Sequence, residues 1–450
     1  MITTISVIGT GYLGATHAAC LAELGFEVIG LDTDPDKVAQ LAAGVLPFYE
    51  PGLPELLRRH TASGSLRFTT SVEEAATADI HFVCVGTPQR AGSLAADTSH
   101  VMAAVEQLVP HLHTDAVVVG KSTVPVGTAE ELQERADALA RPGVRVDVAW
   151  NPEFLREGRS VQDTLSPDRL VLGVASERAE QALREVYATL LAGGTPLVVT
   201  DLVSAELVKV SANAFLATKI SFINAVAEVC EASGGDVVAV AEALGHDVRI
   251  GHAFLRAGLG FGGGCLPKDI RAMTARADEL GTGASLAFLR EVDAINLRCR
   301  ARVIDMVVDE LGGAPAGKRV AVLGAAFKPL TDDVRDSPAL DVAAALQARG
   351  AWVSVFDPQA MENARQSRPE LRYTGTAADA LAGADIVLLL TEWGEFCELD
   401  PAGTGALVSG RILVDARNAL DPRRWREAGW TYRGLGRPRM SPVAERLTTG

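Results

Sequence analysis

Cysteine is sparse in this sequence: there are six in a chain of 450 residues, and no two form a CxxC pair. That spacing suggests neither a cysteine zinc site nor a disulfide framework. Scattered reduced thiols suit a cytoplasmic setting. Positive charge is also short, with 42 Lys and Arg against 57 Asp and Glu and a net charge of −15. Nonspecific binding to nucleic acid or to an anionic membrane is therefore not expected. An anionic ligand would need a local cationic pocket. No uninterrupted apolar run reads as long enough to cross a bilayer. The start, Met1-Ile2-Thr3-Thr4, lacks the basic segment of a secretory signal. His111 and His113 follow Pro110 in an expected loop with no carboxylate cluster, so no metal is expected there.

What is present is a normal globular composition, 48% hydrophobic and 22% charged, long enough for two or three domains. Thr4 to Ile8 is a β-branched run followed by Gly9-Thr10-Gly11-Tyr12-Leu13-Gly14, a helical pattern, a second run from Phe26 to Leu31, and Asp32. Strand, G-x-G-x-x-G, helix, strand and acid at this spacing form a dinucleotide fingerprint. Gly9 permits the tight turn, Gly11 admits a pyrophosphate, and Gly14 lets helix pack on strand. Asp32 suits a ribose carrying both hydroxyls and repels a 2′-phosphate, which selects NAD, with Lys37 as the nearby tempering cation.

Further strands are expected at Ile80–Val85, Ala116–Val119, Val144–Ala149 and Leu170–Val174, parallel and separated by helices. Their C-terminal ends lead into Gly86-Thr87-Pro88, Lys121-Ser122-Thr123-Val124-Pro125 and Asn151-Pro152-Glu153-Phe154-Leu155-Arg156-Glu157-Gly158. Ligands in open α/β sheets bind at such ends, so these loops read as a site wall. Asp201 to Ser233 reads as one long helix stopped by Gly234-Gly235. Lys209 and Asn213 share a face of it, as a functional pair or as a solvated polar pair. Shorter helices are expected at Asp236–Leu244, Asp269–Leu280 and Ser285–Leu311, and 312–317 reads as a linker.

Beyond the linker the chain repeats its opening: strands at Arg319–Leu323 and Trp352–Phe356, then Asp357, with more at Asp385–Leu390 and Ile412–Val414. The dinucleotide glycines are absent, and Gly324-Ala325-Ala326-Phe327-Lys328 stands in their place. This second copy either takes a different phosphate ligand or is a structural relic. The tail from Gly434, rich in Arg, Pro and Thr, reads as loose.

One stretch combines glycines with a reactive side chain: Gly258-Leu259-Gly260-Phe261-Gly262-Gly263-Gly264-Cys265-Leu266-Pro267-Lys268-Asp269. Glycines let backbone approach a ligand, and Lys268 could favour a thiolate. The alternative is a small buried cysteine in a glycine-rich turn.

In this order the pieces resemble the UDP-glucose/GDP-mannose dehydrogenase family over nearly the whole chain. The carriers are Gly9–Gly14, Pro51-Gly52-Leu53 after Tyr49-Glu50, Ser122–Pro125, Asn151–Gly158, Lys209 with Asn213, Gly260–Asp269, and Phe327-Lys328 with Thr331–Pro338. The resemblance implies two Rossmann-like doubly wound parallel-sheet domains joined by a long central helix. Residues 1–200 would bind NAD, 201–312 would form a helical dimerisation domain carrying the cysteine loop, and 313–450 would bind the nucleotide sugar. Relatives oxidise the C6 alcohol of a sugar nucleotide to a carboxylate in two steps, reducing two NAD+. UDP-glucose to UDP-glucuronate is the expected reaction, with GDP-mannose or a UDP-N-acetylhexosamine as the alternative. A homodimer or higher homo-oligomer is expected.

Site roles follow from the same resemblance. Cys265 matches the nucleophile that captures the aldehyde. Lys209 and Asn213 match the pair that steadies oxyanion charge, and Asp269 the carboxylate near the cysteine. Glu153 and Thr123 match residues that hold water and relay protons. Glu157, Val85, Thr87 and Arg335 join Gly9, Gly11, Tyr12, Leu13, Gly14, Asp32 and Lys37 on the NAD side. Phe154, Leu155, Phe254 and Gly262 join the substrate side, with Arg249 reaching into a partner subunit's sugar site. Lys328 and Arg417 match nucleotide-diphosphate contacts. The chain departs from the family at Gly264 and Leu266, where Ser and Phe are usual, and in the loop Gln89–Asp97. Two other classes fit part of the pattern. A 3-hydroxyacid dehydrogenase would need neither the second sheet nor Cys265, and a non-catalytic nucleotide-sugar binder would not need the set Cys265, Lys209, Asn213, Glu153 and Asp269.

Overall fold

The computed structural model describes residues 3–442. The chain divides into two compact units, Met1–Ala212 with Arg271–Ala284, and Asn213–Ile270 with Ser285–Gly450.

The described residues of the first unit build an eight-stranded sheet. Its strands are β1 (Thr4–Ile8), β2 (Glu27–Leu31), β3 (Leu66–Thr69), β4 (Ile80–Val83), β5 (Ala116–Gly120), β6 (Val146–Trp150), β7 (Leu170–Gly173) and β8 (Leu197–Thr200). They lie in the order β3-β2-β1-β4-β5-β6-β7-β8. Ile5, Val7, Val28 and Phe82 pack with Ala15, Ala18 and Leu21 on one face. Ile8, Leu31, Val83 and Val118 pack with Val101 and Val105 on the other. Burial on both faces explains why these strands read as continuous apolar runs rather than alternating ones.

One expectation fails here. β7 was expected to run parallel with the rest, but it meets β6 antiparallel, with Trp150 opposite Gly173. Between them the chain forms an irregular loop and the six-residue helix Ser160–Leu165. At about 1.5 Å per residue that helix advances roughly 9 Å, half the length of a strand. β7 thus enters from the opposite end.

The second unit holds a six-stranded parallel sheet among its described residues. Its strands are β9 (Arg319–Leu323), β10 (Trp352–Phe356), β11 (Arg372–Tyr373), β12 (Ile386–Leu389), β13 (Ile412–Asp415) and β14 (Thr431–Gly434). The order β11-β10-β9-β12-β13-β14 repeats the winding of β3-β2-β1-β4-β5-β6. The internal repeat read from the sequence is therefore a repeat of topology.

The long helix spans Leu202–Ser233, 32 residues. At about 1.5 Å per residue it is roughly 48 Å long. It ends as expected, with Gly234 at φ 79° and the Gly235 N–H on the Cys230 carbonyl at 2.8 Å. Contrary to the sequence reading, this helix is long and apolar enough to cross a bilayer by length and composition. Its buried side chains include Glu206, Lys209, Asn213, Ser221 and Asn224, the pattern of a partly buried core helix.

The tail is a second correction. Leu435 and Gly436 are buried, Met440 pairs with Tyr432, and Arg439 forms an ion pair with Glu310 at 2.9 Å. Its arginines hold it down. Residues 443–450 of that stretch lie outside the described residues.

Candidate active site

The dinucleotide fingerprint folds as its spacing requires. Gly9 has φ 86°, and a Cβ there would lie 2.7 Å from the Val85 side chain. At Gly14 a Cβ would lie 1.8 Å from the Gly9 carbonyl oxygen, so only glycine lets this helix sit on its strand. A Cβ on Gly11 would meet nothing within 4 Å. Gly11 also caps the helix Tyr12–Glu23 without a side-chain bond, leaving the helix N-terminus open to an anion. That open cradle fits the pyrophosphate of NAD.

Asp32 is buried at the end of β2 and accepts the Thr10 N–H at 2.8 Å and the Lys37 ammonium at 3.0 Å. Burial raises its pKa, but the bonds from Lys37 and Thr10 outweigh burial and hold it below the usual carboxylate range. It therefore stays anionic, as an acceptor for ribose hydroxyls must. Tyr12 donates to Glu50, and Glu50 accepts the N–H groups of Gly158 and Ser160 at 2.6 and 2.8 Å. This buried network ties the fingerprint helix to the loop bearing Glu157.

The expected site wall forms within the first unit. Thr87 donates to the Thr123 carbonyl at 2.7 Å, and Ser122 donates to the Val85 carbonyl at 2.6 Å. Glu153 pairs with Lys209 at 2.8 Å, and its other oxygen accepts the Leu155 N–H at 2.6 Å. Phe154 lies between two cations, with Arg169 3.7 Å and Lys209 5.6 Å from its ring centre. Lys209 is only 5% exposed, which excludes the solvated-pair reading.

Asn213, one turn on, is also buried and donates to Asp269 at 2.7 Å. Lys268 places its ammonium 2.7 Å from the other Asp269 oxygen. Cys265 is the one exposed cysteine among the described residues, which excludes the buried-cysteine reading. The helix expected from Asp269 begins earlier, at Leu266, so Cys265 stands at its N-terminal end. Helix N-termini favour negative charge.

The loop glycines make room for protein neighbours. A Cβ on Gly260 would lie 2.4 Å from Asn296 Oδ1, and one on Gly262 would lie 2.3 Å from the Asp336 carbonyl oxygen. A Cβ on Gly263 would lie 2.8 Å from the Phe327 ring. The glycines admit protein neighbours, which hold the loop before Cys265. At Gly264 a Cβ would fall 2.3 Å from the Arg335 guanidinium carbon, the far end of a flexible side chain. Arg335 itself is bound to Asp333 at 2.7 Å.

Arg417 donates to the carbonyls of Leu390, Gly260 and Phe327 at 2.7, 3.0 and 3.0 Å. It braces the cysteine loop against the Phe327-Lys328 turn. Arg249 folds back on Asp247 at 2.6 Å. Phe254 has φ 63°, a strained setting for an aromatic residue. In the second sheet Asp357 ends β10 as Asp32 ends β2, but its carboxylate accepts Ala325 N–H at 2.7 Å and Trp393 Nε1–H at 3.0 Å. Asp357 is 1% exposed, against 8% for Asp32, and also accepts the N–H groups of Ala326, Gln359 and Ala360.

Sequence reasoning missed several residues. Asn296 clamps the cysteine loop by accepting the Phe261 N–H at 2.7 Å and donating to its carbonyl at 2.9 Å. Glu50 holds the Tyr12 network, and buried Lys121 donates to Asn151 Oδ1 at 2.9 Å. Lys121 lies inside Lys121-Ser122-Thr123, and a lysine directly after an apolar strand was the available signal.

Two Rossmann-like sheets, an NAD-compatible fingerprint, a buried lysine–carboxylate pair and an exposed cysteine at a helix start define a nucleotide-dependent oxidoreductase. Family comparison specifies which. Residues 3–191 match the NAD binding domain of the UDP-glucose/GDP-mannose dehydrogenase family, 203–298 its central domain and 321–422 its UDP binding domain. The chain belongs to this family. It is 42% identical to a UDP-glucose 6-dehydrogenase of Rhizobium meliloti, over 96% of this chain and 99% of that one. A UDP-glucose 6-dehydrogenase of Bacillus subtilis is 40% identical over 97% and 98% of the two chains. A UDP-glucose dehydrogenase structure from Pyrobaculum islandicum superposes with a TM-score of 0.89 at 40% identity, covering 97% of this chain and 98% of that one.

Proposed function

We propose that this chain oxidises UDP-glucose to UDP-glucuronate with NAD, through a covalent intermediate on Cys265. The observation that carries the reading is the joint presence of an exposed Cys265 at a helix start and the buried Glu153–Lys209 pair. The 42% identity to a UDP-glucose 6-dehydrogenase along the full length supports UDP-glucose over other nucleotide sugars.

NAD, when bound, would supply a hydride acceptor, and two NAD+ are consumed in turn for each substrate. Gly9, Gly11, Leu13 and Gly14 would cradle its pyrophosphate beside Tyr12, and Asp32 would take the ribose, with Lys37, Val85, Thr87, Thr123, Glu157 and Arg335 as further contacts. Lys209 and Asn213 stabilise the C6 oxyanion. The Cys265 sulfur adds to the aldehyde carbon, giving a thiohemiacetal that loses the second hydride and becomes a thioester. Glu153, with Thr123, takes a proton from water as the water oxygen attacks the carbonyl carbon, and the C–S bond breaks. Asp269 orients Asn213. Phe154, Leu155, Phe254, Gly262, Lys328 and Arg417 hold the sugar nucleotide, Arg417 through the loops it braces.

The division of labour is residues 1–200 for NAD, 201–312 for the cysteine loop and dimerisation, and 313–450 for UDP. The enzyme works in the cytoplasm as at least a homodimer, with Arg249 acting on the partner's substrate. Supporting the dimer, Phe215, Phe222 and Val229 are 67%, 56% and 65% exposed at seven-residue spacing on the long helix. Such a stripe suits a helix from a second copy.

The test is the yield of reduced cofactor from UDP-glucose, UDP-N-acetylmannosamine and GDP-mannose. Two equivalents per UDP-glucose are expected, with little turnover of the others. Cys265→Ala should bind UDP-glucose and NAD yet form no acid. A Cys265→Ala protein making two equivalents per acid at a near-native rate would refute the covalent path.

A further inference from the structure

A narrow crevice enters the first unit behind the loop that carries Glu153. It is lined by His17, Lys121, Asn151, Glu153, Phe154 and Tyr187, among others, and has a volume of about 40 Å3. A water needs roughly 10–15 Å3 on this measure, so the crevice has room for two or three. Asp168 and Arg169 also line it.

The polar groups on its walls call for water. His17 is 1% exposed, and its Nε2 has no hydrogen-bond partner in the protein. Leaving such an atom dry costs about 1–3 kcal/mol. Burial drives the His17 pKa far down, so the ring is neutral at physiological pH and Nε2 can bond water as donor or acceptor, by tautomer. Lys121 is 7% exposed and donates to Asn151 Oδ1 at 2.9 Å, with only a long 3.4 Å contact to the Asn151 carbonyl besides. An ammonium has three donors. Its remaining capacity is available to a water in the crevice. Burial lowers the Lys121 pKa to about 8, Lys209 pushes the same way and Glu153 opposes it. Tyr187 donates to Asn151 Oδ1 at 2.5 Å, which fixes that acceptor and keeps the Lys121 side chain in place.

We infer that this crevice stores the water used in thioester hydrolysis and delivers it to Glu153, with His17 and Lys121 as positioning residues. The inference rests on Glu153 as the water-activating carboxylate. Oxidation in two stages needs water kept from the reacting carbon first and supplied afterwards. Water held by His17 and Lys121 behind Glu153 meets both demands. One proton of the stored water passes to Glu153 as its oxygen bonds to the acyl carbon. The C–S electron pair leaves with Cys265, whose thiolate takes one proton from solvent, while the proton on Glu153 and the second water proton pass to solvent as the acid ionises.

The test uses the full-length enzyme with UDP-glucose and NAD, in rapid-quench experiments read by intact-mass spectrometry and by the transient of reduced cofactor. His17→Phe removes the water-binding nitrogen at similar volume beside Phe82. Lys121→Met removes the ammonium and keeps the chain length. Both should slow hydrolysis about tenfold, the usual scale for a group that positions a proton transfer. The acyl adduct on Cys265 should then accumulate after a burst of two equivalents of reduced cofactor, with the KM for UDP-glucose within twofold of native. His17→Gln, which keeps a polar atom, should restore most of the rate. No adduct and an unchanged rate in either folded variant would overturn the proposal, as would equal slowing of both oxidation steps. Should His17→Phe fail to fold, Lys121→Met decides the matter. Native enzyme forming acid with no adduct, together with an active Cys265→Ala, would instead refute the covalent reading beneath it.

Discussion

At the residue scale, the choice of cofactor is proposed to rest on Asp32. Its carboxylate is fixed by Thr10 and Lys37 and kept anionic, ready to accept from a ribose diol. Asp32→Ala removes that acceptor and the charge that repels a 2′-phosphate. Hydrogen bonds to a charged group are worth about 1.5–3 kcal/mol, so kcat/KM for NAD should fall by roughly 10- to 100-fold. NADP should gain relative to NAD, because Lys37 loses its partner. Steady-state kinetics with both cofactors checks this, and native enzyme using NADP as well as NAD would remove the role given to Asp32. Cys265 shows what local sequence leaves out at this scale. Its glycines also make room for Asn296, Asp336, Phe327 and Arg335. Those contacts come from segments 30 to 80 residues away in the chain, and no local pattern reports them.

At the element scale, Glu206 on the long helix caps another helix. It accepts the N–H groups of Gly127 and Ala129, both at 2.7 Å, at the start of helix Thr128–Leu139. Burial raises its pKa from 4.5 to about 7, and the two backbone bonds only partly oppose that. The folded pKa lies above the unfolded one. The stability it contributes is therefore full below about pH 4.5 and lost as pH rises through 7. At about 1.4 kcal/mol per unit this is up to about 3 kcal/mol. Glu206→Gln should come close to native stability at low pH, where the native side chain is also neutral. It should also lose the downward slope between pH 5 and 8. Denaturant midpoints at those pH values measure both effects, and an unchanged slope would show that Glu206 does not titrate there. Long elements were legible because their signals are strong: the glycine stop at Gly234 and the fingerprint at Gly9–Gly14. β3, β8, β11 and β14 were not read. They are two to four residues long, and their pairing partners create them more than their own sequences do.

At the scale of the whole molecule, the exposed stripe Phe215, Phe222 and Val229 predicts self-association. Phe215→Glu combined with Phe222→Glu should shift the protein toward monomer in sedimentation velocity, with activity falling at dilution. A fully active native monomer would end the dimer reading. The fold class was legible in order and composition. Apolar β-branched runs alternating with helical stretches leave a parallel sheet as the economical solution, and the repeat after residue 317 announced a second one. The family and its NAD domain were likewise legible, in the fingerprint Gly9–Gly14 and in the order of the motifs along the chain. Tertiary structure alone decided that β7 runs backward, because a strand's direction is set by the neighbours it pairs with and not by its own residues. It alone bound the arginine-rich tail, through Glu310 and the pairing of Met440 with Tyr432. It alone turned His17 and Lys121, ordinary in sequence, into two polar groups facing one small cavity, because burial is a property of neighbours that the chain brings together from afar.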